Sequence, residues 1–240
     1  MLPTSHYALL ALFFLAGLEL SYAFQNWFVL AAVLLLVVVT VGIILIRIEE
    51  RGAFQLVQII LPLMAAAGLT LFALYLPTPL LHAYFIVSSF IFYFVLKHAA
   101  RQAYPTWNWI ISLVILFVSI ASLLGWRFHF YAPPLFVLAL FFAIVFLMAF
   151  QSFVRYLRQR SEAALVAACF ALVLTEVVWV LQFFPLHYMV QAGILITLYY
   201  VMFQLLTQSF ADRLERRDII EYMLVGGVTL SLLLVTAQWL

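Results

Sequence analysis

The chain has 240 residues, of which 69% are hydrophobic and only 8% charged, with a formal net charge of +2 at pH 7. Its mean hydropathy is +1.22. A soluble domain carries roughly 45–50% apolar and ~25% charged residues, so no soluble core could hide this much apolar surface, and most of the chain is solvated by lipid.

The small charge, with no basic tract outside the breaks between hydrophobic runs, argues against a nucleic-acid partner. A single cysteine, Cys169, excludes a disulfide framework and any multi-cysteine metal site.

A spanning helix needs about 20 mostly apolar residues. In chain order the qualifying segments are 7–24, 27–48, 56–76, 80–97, 108–125, 133–153, 163–184, 188–210 and 222–240. The first is followed directly by the second with no small-residue cleavage site, so it reads as a spanning helix and not as a signal peptide. Segment 56–76 contains Pro62, which is expected to kink it, and the small run Ala65-Ala66-Ala67-Gly68, which allows close helix contact. Segment 163–184 carries Ala163, Ala164, Ala167 and Ala168, and the same argument predicts a central place for it. The last segment follows the charged run Asp212 to Asp218, which either extends the preceding helix into the cytoplasm or lies along the interface, and it ends in Gln238-Trp239-Leu240. It either crosses or lies at the interface. The expected fold is therefore all-α: a polytopic membrane helical bundle, eight or nine transmembrane helices arranged as hairpins with tight outer turns, in a single transmembrane domain over 1–240 without a soluble domain.

The breaks alternate in kind. Gln25-Asn26, Pro77-Thr78-Pro79, Trp126 to Pro134, and Pro185-Leu186-His187 are short, and of these only Trp126 to Pro134 carries a charge. Arg47 to Arg51, Lys97 to Arg101, Arg155 to Glu162, and Asp212 to Glu221 are charged. Ten of the eleven lysines and arginines lie in the charged breaks, and Arg127 is the exception. The positive-inside rule then places the charged breaks and the N-terminus in the cytoplasm, and the C-terminus outside if all nine segments cross. The expected location is the cell membrane.

Two echoes hint at a parallel internal repeat. Pro79-Leu80-Leu81-His82 resembles Pro185-Leu186-His187, and Glu19-Tyr22-Gln25 has the spacing of Glu176-Trp179-Gln182. A charged side chain in the bilayer interior costs on the order of 2.5–3.5 kcal/mol on insertion scales, which makes an embedded glutamate a functional hypothesis. Both glutamates lie in segments running outward, at roughly 8 and 12 Å below the outer boundary at 1.5 Å per residue. Spacings of three and six keep each glutamate on one side of its helix with its aromatic and its glutamine. The expectation is one outward-open polar pocket for a small solute or ion, in which the apolar setting favours the protonated carboxyl. The competing reading makes each glutamate polar glue to a neighbouring helix.

Arg127 either neutralises one of the glutamates, holds an anionic head group, or is a solvated loop residue. His82, His129 and His187 fall at outer helix ends, but no pair has metal-ligand spacing within one helix, so they read as interfacial and no metal site is assigned. No catalytic motif or cofactor-binding loop is present, and the one lysine, Lys97, lies at a helix end and not deep in a helix as a retinal site would need. Three classes of function follow: a small transporter or ion-coupled permease using the glutamate pocket, an enzyme acting on a lipid or lipid-linked group at the outer face, or a non-catalytic subunit. The expected partners are the lipid bilayer, a small solute or ion, and a membrane protein or a second copy of the chain.

Overall fold

In a computed structural model, residues 4–24, 56–101, 105–157, 159–211 and 213–237 are described. They form eight α-helices and one short 3₁₀ turn, with no strands among the described residues: α1 (Thr4–Phe24), α2 (Leu56–Phe72) leading into the 3₁₀ turn Ala73–Tyr75, α3 (Thr78–Arg101), α4 (Pro105–Phe130), α5 (Pro134–Phe153), α6 (Arg160–Leu181), α7 (Tyr188–Phe210) and α8 (Arg216–Thr236). Six of these contain stretches long and apolar enough to cross a membrane: Thr78–Lys97, Trp109–Phe130, Pro134–Phe153, Arg160–Leu181, Tyr188–Phe210 and Arg216–Thr236. Tyr7–Ala23 and Ile59–Tyr75 are shorter apolar helices. A multi-pass membrane helical bundle fits this architecture. The expected segment 27–48 lies outside the described residues.

The chain divides into two units, Met1–Ser119 and Ile120–Leu240, with the boundary inside α4. In the first unit α3 packs against both α1 and α2. The α1 face is Tyr7, Leu10, Ala11, Phe14, Leu18 and Ser21, all buried. Phe14 meets Phe92 of α3 with ring centroids 4.7 Å apart, and both rings are fully buried. The Tyr84 hydroxyl of α3 donates to the Leu69 carbonyl of α2 at 2.7 Å. Pro62 sits inside α2, and the helix continues beyond it to Phe72. Gly68 is required by close approach: a Cβ there would lie 2.5 Å from Ser119 Oγ and 3.2 Å from Ser119 Cα.

In the second unit the α5–α6 pair is the most extensive packing. Ala163, Ala167 and Ala171 of α6, four residues apart, have no exposed surface and let the two backbones approach. A ring cluster ties α5, α6 and α7 together. Phe153 stacks on Phe203 at 5.3 Å and meets Phe170 edge-on at 5.7 Å, while Phe170 meets Tyr199 at 5.1 Å. Helix α8 packs on α7, where a Cβ at Gly226 would lie 2.6 Å from Val201 Cγ2, and the Gln208 amide donates to the Tyr222 hydroxyl at 2.6 Å.

Two local readings are corrected. Arg127 is not in a loop. With neither Gly nor Pro between Trp126 and Ala132, α4 runs on to Phe130 and closes through Tyr131, whose φ of 54° and N–H to the Arg127 carbonyl at 3.0 Å make a left-handed cap. The charged run before α8 does not extend α7. Helix α7 ends at Phe210, and Glu215 with Asp218 forms a capping box that starts α8 at Arg216.

Candidate functional site

Glu19 lies in the last two turns of α1, and His82 lies in the first turns of α3. Packing of α1 on α3 brings His82 Nδ1 to 3.1 Å from both Glu19 oxygens. The glutamate side chain is 39% exposed and the histidine 59%, so the pair is not sealed in the packed core. Tyr22 stands edge-on to the imidazole at 5.6 Å, and Phe85 does so at 6.3 Å. These rings orient the histidine, and in the tautomer with its hydrogen on Nδ1 that N–H donates to the carboxylate. Together the two groups can bind, hold and release a proton, or release the histidine and offer two carboxylate oxygens to a cation. His82 was missed as the partner of Glu19. The available signal was that both residues flank uncharged breaks assigned to the same side.

The second unit arranges its polar groups differently. Glu176, Trp179 and Gln182 do not share one environment. Gln182 caps the C-terminal end of α6 and is half-buried. Its Oε1 accepts a hydrogen bond from the Arg127 guanidinium at the C-terminal end of α4, while its buried Nε2 has no partner. A cation in the last turn of a helix is also favoured by the helix dipole. Glu176 is exposed and makes no hydrogen bond or ion pair among the described residues, so Arg127 does not neutralise it. Trp179 is 44% exposed and meets Phe183 edge-on at 5.6 Å. The expected central helix is therefore half right in its geometry. It packs on α5 and also touches α7, but it turns its glutamate away from the packed side.

Near the same end of α4, a ring cluster joins Phe128, His129, His187 and Tyr188. His187 lies 4.3 Å from Tyr188 and 5.6 Å from Phe128, and His129 lies 5.5 Å from Tyr188. His187 caps α7 by accepting the Met189 N–H. Burial and, secondarily, the nearby His129 lower the His187 pKa below its ordinary value. No group of three or more His, Cys, Asp or Glu side chains able to hold a metal occurs among the described residues.

Gln25 lies outside the described residues. Glu19 and Glu176 belong to different units, and each is described within its own. Compared with family models, curated proteins and solved structures, the chain matches none.

Proposed function

We propose that the protein is a small multi-pass transporter of the ion-coupled permease type, in the cell membrane, with Glu19 as its proton- or cation-binding carboxylate. The observation that carries this reading is the Glu19–His82 pair: two titratable groups 3.1 Å apart and partly exposed, at one end of otherwise apolar helices. An exposed pair contributes little stability, about 0–1 kcal/mol, so its presence in a chain with nine carboxylates is better explained by exchange with a solute. Tyr22 belongs to this site. Arg127 and Gln182 form a second polar station in their own unit, and Gln25, Glu176 and Trp179 complete the residues proposed from the spacing pattern. The proposed topology has eight or nine spans, with the N-terminus and the charged breaks in the cytoplasm, on the count of lysines and arginines.

The test is reconstitution into vesicles containing a pH-sensitive dye, with an imposed proton or sodium gradient. The expected result is dye-reported flux that Glu19→Gln abolishes and His82→Gln slows, with helical content unchanged by circular dichroism. Equal flux through wild type and Glu19→Gln would end the reading.

A further inference from the structure

Helix α6 has two apolar faces. One is packed: Ala163, Ala167, Phe170, Ala171, Leu174 and Val178 are buried. The opposite face carries Leu165, Cys169, Leu172, Glu176 and Trp179, continued by Phe183 just past the helix end, and every one of these residues is exposed. Their successive spacings are four, three, four, three and four. That is the seam spacing of paired helices, in which alternating a and d positions recur every 3.5 residues. Any single side of a helix shows this spacing, but a face meant only for lipid has no use for a carboxylate in its middle.

We propose that this face of α6 is the contact between two copies of the chain, packed as a parallel pair with Glu176 hydrogen-bonded to Glu176 of the second copy. Three physical points select a second copy as the occupant. All copies of one chain insert with the same orientation, because the same charges stay inside. A two-fold axis between them therefore runs along the membrane normal, so α6 meets α6 in parallel and each seam residue faces its own equivalent. Next, a carboxylic acid can present one O–H donor and one carbonyl acceptor, so two such groups are complementary to each other. Each acid donates to the other at equal depth, and no basic residue is required. Finally, the lysines and arginines placed in α3, α4, α6 and α8 lie within a turn or so of the helix ends, and none of them pairs with Glu176 among the described residues. A single polar residue at a seam position also sets register and partner number. Between helices in lipid it supplies attraction that apolar side chains alone do not, since acyl chains are as apolar as leucine.

Cys169 reports on the contact directly. It lies seven residues before Glu176 on the same seam, and it is the only cysteine in the chain. Any disulfide must therefore join two copies, and it forms readily only if the Cα atoms approach to about 4.4–6.8 Å.

The experiment uses the full chain in vesicles at high lipid excess, treated with copper phenanthroline and run without reductant. The expected result is a covalent dimer through Cys169. It should form faster than a dimer through Leu224→Cys in a Cys169→Ala background, because Leu224 is 61% exposed on α8 but off the seam. Glu176→Gln should retain the link, since an amide is also self-complementary. Glu176→Ala removes both bonds of the pair and should weaken association roughly five- to thirty-fold, the effect of losing about 1–2 kcal/mol of interhelical hydrogen bonding in lipid. Single-molecule photobleaching of labelled protein should show two steps. One-step bleaching, linking through Leu224→Cys as fast as through Cys169, or an unchanged link yield in Glu176→Ala would each overturn the proposal. None of these readings depends on flux, so failure here leaves the Glu19–His82 proposal standing, and the reverse.

Discussion

In the first unit, α1 presents Glu19 to an imidazole that meets both carboxylate oxygens at 3.1 Å. In the second, α6 presents Glu176 on the face opposite its packed alanines, with no partner among the described residues. Both glutamates stand five residues before the end of their helix, and both are followed by an aromatic at the third position. The local pattern is therefore the same, and the fate of the carboxylate depends on which neighbouring helix lies against its side. In α1 the side bearing Glu19 lies near the α3 contact. In α6 the side bearing Glu176 is turned away from α5. A glutamate that finds a titratable partner within its unit suits exchange with a solute, and one that finds none suits contact with another molecule.

The largest expected effect is one in which this contrast should vanish. In segments 4–24 and 160–181 inserted separately by a translocon and scored by glycosylation mapping, Glu19→Leu and Glu176→Leu should each favour insertion, by up to about 3 kcal/mol and by similar amounts. A gain confined to Glu176 would move the origin of the difference from tertiary packing into the segments themselves.

Next in size is Arg127→Met. It leaves Gln182 Oε1 without its charged donor, beside an Nε2 that already lacks an acceptor. The expected loss is about 1.5–3 kcal/mol, the range for a hydrogen bond to a charged group. It should appear as a lower midpoint in thermal unfolding of detergent-purified protein. A stability unchanged from wild type would mean that the second unit does not rely on this bond.

A smaller effect is expected at the first unit's pair. His82→Ala should lower stability by no more than about 1 kcal/mol, because both side chains are partly exposed and salt screens them. A double-mutant cycle with Glu19→Gln measures the coupling. A coupling well above that bound would show the pair to be structural and would weaken the exchange reading.

The smallest effect concerns pH in the second unit. Burial and His129 lower the His187 pKa, so the folded state binds its proton less readily than the unfolded chain does. Stability is then unaffected above the ordinary histidine value of about 6.5 and falls as the pH drops below it, since the unfolded state takes up the proton first. His187→Asn, which keeps a side-chain acceptor for the helix cap, should flatten the slope of the unfolding midpoint between neutral and mildly acidic pH. The same slope in wild type and variant would assign the pH response to another group.

Composition alone pointed to lipid as the solvent of most of this chain, because the apolar excess is larger than a soluble core hides. Prolines, charges and apolar run lengths likewise placed the described helices to within about six residues at each end, and the range 188–210 agrees with α7 at both ends. These are local properties, set by hydrogen-bond closure and chain breaking within a few residues. The extension of α4 through Arg127 follows from the same rules, since nothing between Trp126 and Ala132 breaks a helix. Tertiary structure decided the rest. His82 meets Glu19 across 63 residues of sequence, a distance no periodicity spans. It also decided which side of α6 is packed. Ala163 and Ala167 turn inward while Leu165 and Leu172 face outward. Hydropathy cannot predict that choice, because in a membrane protein-facing and lipid-facing sides are equally apolar, and only the fit of small residues against a neighbouring helix distinguishes them.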